Sequence, residues 1–254
     1  MLLLAKTLFT YGIRTPEDEL GHCRDLYVDD RDWSVRYVVV DTGGLLPGKK
    51  VLLAPQVFGP PDPEAETLPT GLSPEQVQNA PALDEHEPVS RRHEAALARH
   101  YGWEAHWLPP LAAFPPPNAP PVAPLAADLP EPQPAGQDND APDQTGAHLR
   151  SLREVTGYGI AATDAPVGHT VDGVVETDDW EVHYLLVDTR NWLPGKKVLI
   201  DTERVTGVDW RGRLLQVDRT REDIRQSPPF APDAPVNQVV EHRLYDYAGH
   251  PRGG

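Results

Sequence analysis

One cysteine, Cys23, stands in 254 residues. That excludes an internal disulfide and any cysteine-rich metal site, and it fits a reducing compartment, where a lone thiol behaves as a small half-buried apolar residue. Basic residues are few as well. Lys and Arg number 23 against 39 Asp and Glu, a formal net charge of −16 and a pI near 4.9. Such a balance disfavours sequence-independent nucleic-acid binding and docking on anionic lipid. Long apolar runs are missing too. The opening "MLLLAKTLF" breaks at Lys6, too short for a secretory core, and no window approaches the roughly 18 apolar residues of a spanning helix. The expectation is a soluble, cytoplasmic protein without membrane insertion. Gly-rich phosphate loops, nucleophile elbows, zinc signatures and dinucleotide fingerprints are also absent, so the sequence predicts no catalytic residue, no cofactor and no metal.

What the chain has in quantity is proline, 29 residues, and a repeat. Shifting the sequence by 147 positions aligns 11–53 with 158–200 without a gap, and 21 of those 43 positions are identical. Gly21-His22 matches Gly168-His169, Asp25 matches Asp172, and Asp32-Trp33 matches Asp179-Trp180. Tyr37 matches Tyr184, and the phrase Leu-Pro-Gly-Lys-Lys recurs at Pro47, Gly48, Lys49, Lys50 and at Pro194, Gly195, Lys196, Lys197. A weaker echo continues through the following hundred residues. The chain therefore divides into unit 1 (1–107), a spacer (108–148) with 12 prolines in 41 residues, and unit 2 (149–254). The spacer's composition favours extended, unpacked chain.

Each unit opens with strand patterns and closes with helical ones. "CRDLYVDD", then a turn at "DRDW", then "SVRYVVVDT" and "VLLAP" read as successive strands, the second covered on both faces. Ser73-Pro74 with Gln76, and Thr220 with Asp223, are helix-start signatures. Ser90 and Asn237 head further helical segments closed by Gly102 and Gly249. The fold class is mainly β with helical tails, α+β, built twice.

The ordered combination of a Gly-led strand, an Asp-Trp turn, "VRYVVVDT" and "WLPGKKVLI" resembles the PRC-barrel family, and the helical tails are similar to those of bacterial tandem PRC-barrel proteins. The resemblance covers both units and implies two small antiparallel β-barrels serving as adaptors, as in the photosynthetic reaction-centre H subunit and a ribosome-maturation factor. It implies a non-catalytic protein whose modules bind protein partners, each other or another copy of the chain. Peripheral docking on a membrane complex, with an electron-transfer association, and a ribosome- or RNA-associated role are its alternatives.

Individual residues divide accordingly. Pro47-Gly48 and Pro194-Gly195 set a turn, and Lys49, Lys50, Lys196 and Lys197 begin the next strand at a rim, where they either discourage edge pairing or meet an acidic partner. His22 and His169 are rim or partner candidates. Trp33, Tyr37, Trp180, Tyr184 and Trp192 read as large apolar plugs of the barrels. Asp25, Asp29, Asp30 and Asp32, with Asp172, Glu176, Asp178 and Asp179, lack calcium-loop spacing and read as solvated hairpin ends. The two units are expected to pair about a pseudo-two-fold axis or remain separate beads.

Overall fold

A computed structural model of the chain describes residues 1–16, 18–43, 49–83, 89, 91–103, 149–189 and 196–230. The spacer, the helix expected after Asn237, the helix-heading Ser90, and Pro47, Gly48, Trp192, Pro194 and Gly195 lie outside them. The described residues of 1–89 and 148–254 belong to one compact unit, and those of 90–147 to another.

In the larger unit the first repeat runs β1 (Leu2–Leu4), α1 (Ala5–Leu8), β2 (Gly12–Arg14), β3 (Glu19–Asp29), β4 (Val35–Asp41), β5 (Lys50–Leu53), β6 (Thr67–Pro69) and α2 (Pro74–Gln78). The smaller unit contributes α3 (Arg91–Tyr101), as its sequence predicts, followed by Gly102 at a left-handed φ of 71°. The second repeat then restates the first: β7 (Leu149–Ser151), α4 (Leu152–Val155), β8 (Gly159–Ala161), β9 (Pro166–Glu176), β10 (Glu181–Asp188), β11 (Lys197–Asp201), β12 (Val205–Asp209), β13 (Leu214–Val217) and α5 (Arg221–Gln226). The architecture is mainly β, and among the described residues no helix is long and apolar enough to cross a membrane.

The strands form two sheets, ordered β5-β4-β3-β2-β6 and β11-β10-β9-β8-β13-β12. Pairing is antiparallel except β2 with β6 and β8 with β13, which are parallel in the same relative register. Among the described residues neither order is closed by pairing of its end strands. Repeat 2 has one strand more, and the cause is visible in sequence. Where β12 carries Gly207 and Val208, repeat 1 has Pro60 and Pro61, which cannot donate to a ladder. Only two bridges survive there, Phe58 with Thr70 and Asp62 with Thr67, at the positions of Val205–Val217 and Asp209–Leu214.

Each sheet also takes a strand from the other repeat. β1 pairs with β9 through Leu2–Glu176, Leu3–Val175 and Leu4–Val174. β7 pairs with β3 through Leu149–Asp29, Arg150–Val28 and Ser151–Tyr27. Each pair maps onto its counterpart by the 147-residue shift, so the exchange is reciprocal. A third contact lies on the axis of this pseudo-symmetry: Ser34 bridges Glu181, its own counterpart. There Val35 N–H donates to the Trp180 carbonyl at 2.7 Å, and Val182 N–H to the Trp33 carbonyl at 3.0 Å. This isologous joint is the arrangement of a two-fold dimer drawn within one chain.

The cores follow from the strand patterns. Val38, Val40 and Val39 of β4 are all buried, as are Leu185, Leu186 and Val187 of β10, so these strands are covered on both faces. Leu2 of repeat 1 enters the repeat 2 cluster of Val174, Tyr184, Leu186, Leu199 and Phe230. The exchange thus carries apolar burial as well as backbone hydrogen bonds.

Candidate functional site

The duplicated lysines are occupied. Lys49 Nζ donates to the carbonyl of Gln78, and Lys196 Nζ to that of Arg225, both at 2.5 Å. These carbonyls are the last of α2 and in the last turn of α5, so each amine caps a helix whose end lacks intrahelical partners. The N-termini of both helices are closed by capping boxes at Ser73/Gln76 and Thr220/Asp223. Lys50 and Lys197 open β5 and β11 opposite Asp41 and Asp188, and their carbonyls accept from Leu83 and Phe230 N–H. The phrase fastens the tail of each repeat to its sheet.

Gly21 and Gly168 are both required by close approach, and Gly21 also by its φ of 145°. A Cβ at Gly21 would lie 2.1 Å from the Asp41 carbonyl oxygen, and one at Gly168 2.0 Å from that of Asp188. The histidines that follow are carried along by this crossing. His22 is exposed, 3.4 Å from Glu19, and His169 is half-buried opposite Asp188. His22 lines a surface cleft with Phe9, Thr10, Arg24, Asp41 and Gly43. Its cation is already paired, Arg24 Nε to Asp41 Oδ2 at 3.3 Å. Cys23 is buried, and burial pushes its thiol far above the ordinary range, which removes nucleophilic character.

The aspartates depart from the expected solvated hairpin ends, because several face the other repeat. Asp25 accepts from the Ser151 hydroxyl at 2.5 Å and from Arg153 N–H at 3.1 Å. Its counterpart Asp172 accepts from Lys6 N–H at 3.2 Å. Each carboxylate therefore clasps the start of the other repeat's first helix, α4 or α1. Burial raises the pKa of both above the usual carboxylate range, against the lowering effect of the hydrogen bonds they accept. Asp29 is buried with the opposite result. Burial pulls its pKa up, but the Arg31 guanidinium at 2.9 and 2.7 Å, with the Arg31 N–H and the charge of Arg36, overcomes this and holds it at about 2.

The Asp-Trp turns lie at the joint. Trp33 and Trp180 are buried and take left-handed φ values of 59° and 55°, a conformation that costs a bulky residue of order 1–3 kcal/mol. They are held there by the cross-repeat bonds to their carbonyls, and the Trp180 ring lies 5.8 Å from Phe58 of the other repeat. Tyr37 and Tyr184 are buried in β4 and β10.

Beside each tryptophan, three alternate residues form a polar group. In repeat 1 these are Asp32, Ser34 and Arg36. Ser34 N–H donates to Asp32 Oδ1 at 3.0 Å, and Arg36 meets Asp32 Oδ2 at 2.8 Å and Asp29 Oδ2 at 3.5 Å. In repeat 2 they are Asp179, Glu181 and His183. Glu181 N–H donates to Asp179 Oδ1 at 3.0 Å, and His183 Nε2 lies 3.0 Å from Asp179 Oδ2. This second group does not stand out in the sequence, where its D-x-E-x-H spacing spans the end of a turn, Asp179, and the start of β10, Glu181 and His183. A scan against protein-family models finds no match for the chain, and a search of curated proteins finds none either.

Proposed function

We propose that the chain is a non-catalytic adaptor: two PRC-barrel-type modules fused into a pseudo-dimer that presents a fixed pair of surfaces to a protein partner. The observation that carries this reading is the reciprocal exchange of β1 onto β9 and β7 onto β3, which joins two similar halves in one compact unit. The contacts of the charged side chains support it. Asp25, Asp172, Lys49 and Lys196 are engaged in hydrogen bonds to other parts of the fold, and Cys23 is sealed within it. None is poised at a cleft as a catalytic acid, base or nucleophile would be.

The pairing is tested by inserting a protease site within 108–148 and cutting the folded chain. The halves are expected to co-elute as one species near the intact 28.0 kDa, and separation into two would overturn the pairing. The adaptor role is tested by capture with the intact chain and with Leu2→Asp, which unseats β1. A stoichiometric protein partner held by the first and lost by the second is the expected result. A partner held equally by both, or turnover of a small substrate, would sink it.

A further inference from the structure

We propose that Asp179, Glu181 and His183 form a binding site for one divalent transition cation of the zinc class. One ligand atom from each residue lies within 4.8 Å of the others. Zinc bonds of roughly 2.0–2.2 Å place ligand atoms about 3–3.5 Å apart. The His183–Asp179 distance of 3.0 Å is already in that range, and a Glu181 carboxylate oxygen lies within 4.8 Å of both. An imidazole with two carboxylates selects against calcium and magnesium, which take oxygen ligands, and in favour of zinc and its neighbours.

The site has the gradation a metal needs. His183 is only 7% exposed, whereas the Asp179 side chain is 49% exposed, which gives an inner wall and an open mouth. Three protein ligands leave a coordination position for water at that mouth. The ligands are also oriented in advance: Glu181 N–H fixes Oδ1 of Asp179, which turns Oδ2 towards His183.

The first repeat supplies an internal control. Its Asp32 is fixed by Ser34 N–H at the same 3.0 Å, and the Arg36 guanidinium occupies the place of the imidazole, against Asp32 and Asp29. One copy of the frame is thus built around a covalently attached cation. The other has an imidazole in that place and a second carboxylate, the mixed nitrogen and oxygen donor set that zinc-class ions take. Bound there, the ion clasps the turn whose Trp180 carbonyl receives Val35 N–H, and so tightens the joint between the repeats.

The test uses the full chain, stripped of metal and dialysed against Zn²⁺, with metal content, titration calorimetry and thermal unfolding read in parallel. Co²⁺ in place of Zn²⁺ gives an independent absorption signature. The expected result is one tightly held zinc per chain, a rise in Tm on loading, and d–d bands from Co²⁺. The double variant Glu181→Ser with His183→Arg, which writes the repeat 1 residues into repeat 2, should fold, lose at least tenfold in affinity and lose the Tm response. Asp179→Asn, which keeps an acceptor for Glu181 N–H, serves as a second variant with the same expected loss. Equal zinc content and equal thermal response in parent and variants would overturn the site, as would absence of stoichiometric binding to the parent.

Discussion

The two turn frames at the joint share a backbone and differ in chemistry. Asp32 and Asp179 accept the same N–H two residues on, and Trp33 and Trp180 hold the same left-handed conformation. Around them repeat 1 places Asp29, Arg31 and Arg36 where repeat 2 has Glu176, Asp178 and His183. The backbone contacts of the joint therefore constrain the tryptophan and the aspartate, while the facing charges were free to diverge. Identity between the repeats marks what the joint needs, and difference marks what each half does alone.

The comparison breaks most severely at the crossing glycines. Gly21→Ala and Gly168→Ala should each cost about 3 kcal/mol, since the clashing atom in each is a backbone carbonyl that cannot swing aside, and Gly21→Ala should cost more because its φ of 145° disfavours a side chain. Urea unfolding midpoints would check this. The exchanged strands should behave unequally. Leu2→Ala empties a place in a buried cluster and should cost about 2–4 kcal/mol, whereas Leu149 is half-buried and its replacement should cost about 1 kcal/mol. Thermal unfolding of the two single variants gives the ratio.

The clasping carboxylates come next. Asp25→Ala and Asp172→Ala leave backbone N–H groups unmatched, at about 1–3 kcal/mol each. Asp→Asn at either site keeps an acceptor and sheds a buried charge, so it should cost less than Ala. The pH dependence has a definite sign. Because the folded pKa of Asp25 and Asp172 is raised, their contribution is full below the unfolded carboxyl value of about 4 and is lost as pH rises through the folded pKa. Asp29 has the reverse sign: held at about 2, it stabilises above roughly pH 4 and that contribution is lost as pH falls towards 2. Asp29→Asn should flatten the acid limb of a stability-against-pH curve. The smallest effect is expected at the lysines. Lys49→Met and Lys196→Met should each cost about 0.5–1 kcal/mol, seen as faster amide exchange at the ends of α2 and α5.

Much of this fold is legible in the sequence. The 147-residue register, the strands around Tyr37 and Tyr184, and both capping boxes follow from periodicity and short polar signatures. The exchange does not, because "LLL" and "LRS" are three-residue strands with no period to read, and nothing local says which sheet they join. For the same reason Asp25 and Asp172 look like hairpin-end carboxylates until the other repeat is brought against them. The lysine pair reads as rim chemistry because its acceptor is a carbonyl 29 residues away, and backbone acceptors leave no trace in side-chain patterns. The Asp179, Glu181, His183 group lay within reach. Its D-x-E-x-H spacing is plain in the sequence, but the structure gathers it from the end of a turn, Asp179, and the start of β10, Glu181 and His183, which spacing alone does not show.

An assembly of identical subunits receives every mutation in duplicate, so a change useful at one end of its axis must be tolerated at the other. Joining the halves in a single polypeptide lifts that obligation. With the interface secured by mutual strand donation, Arg36 can keep its guanidinium on one side while His183 replaces it on the other, and the molecule acquires a front and a back that no true two-fold dimer possesses.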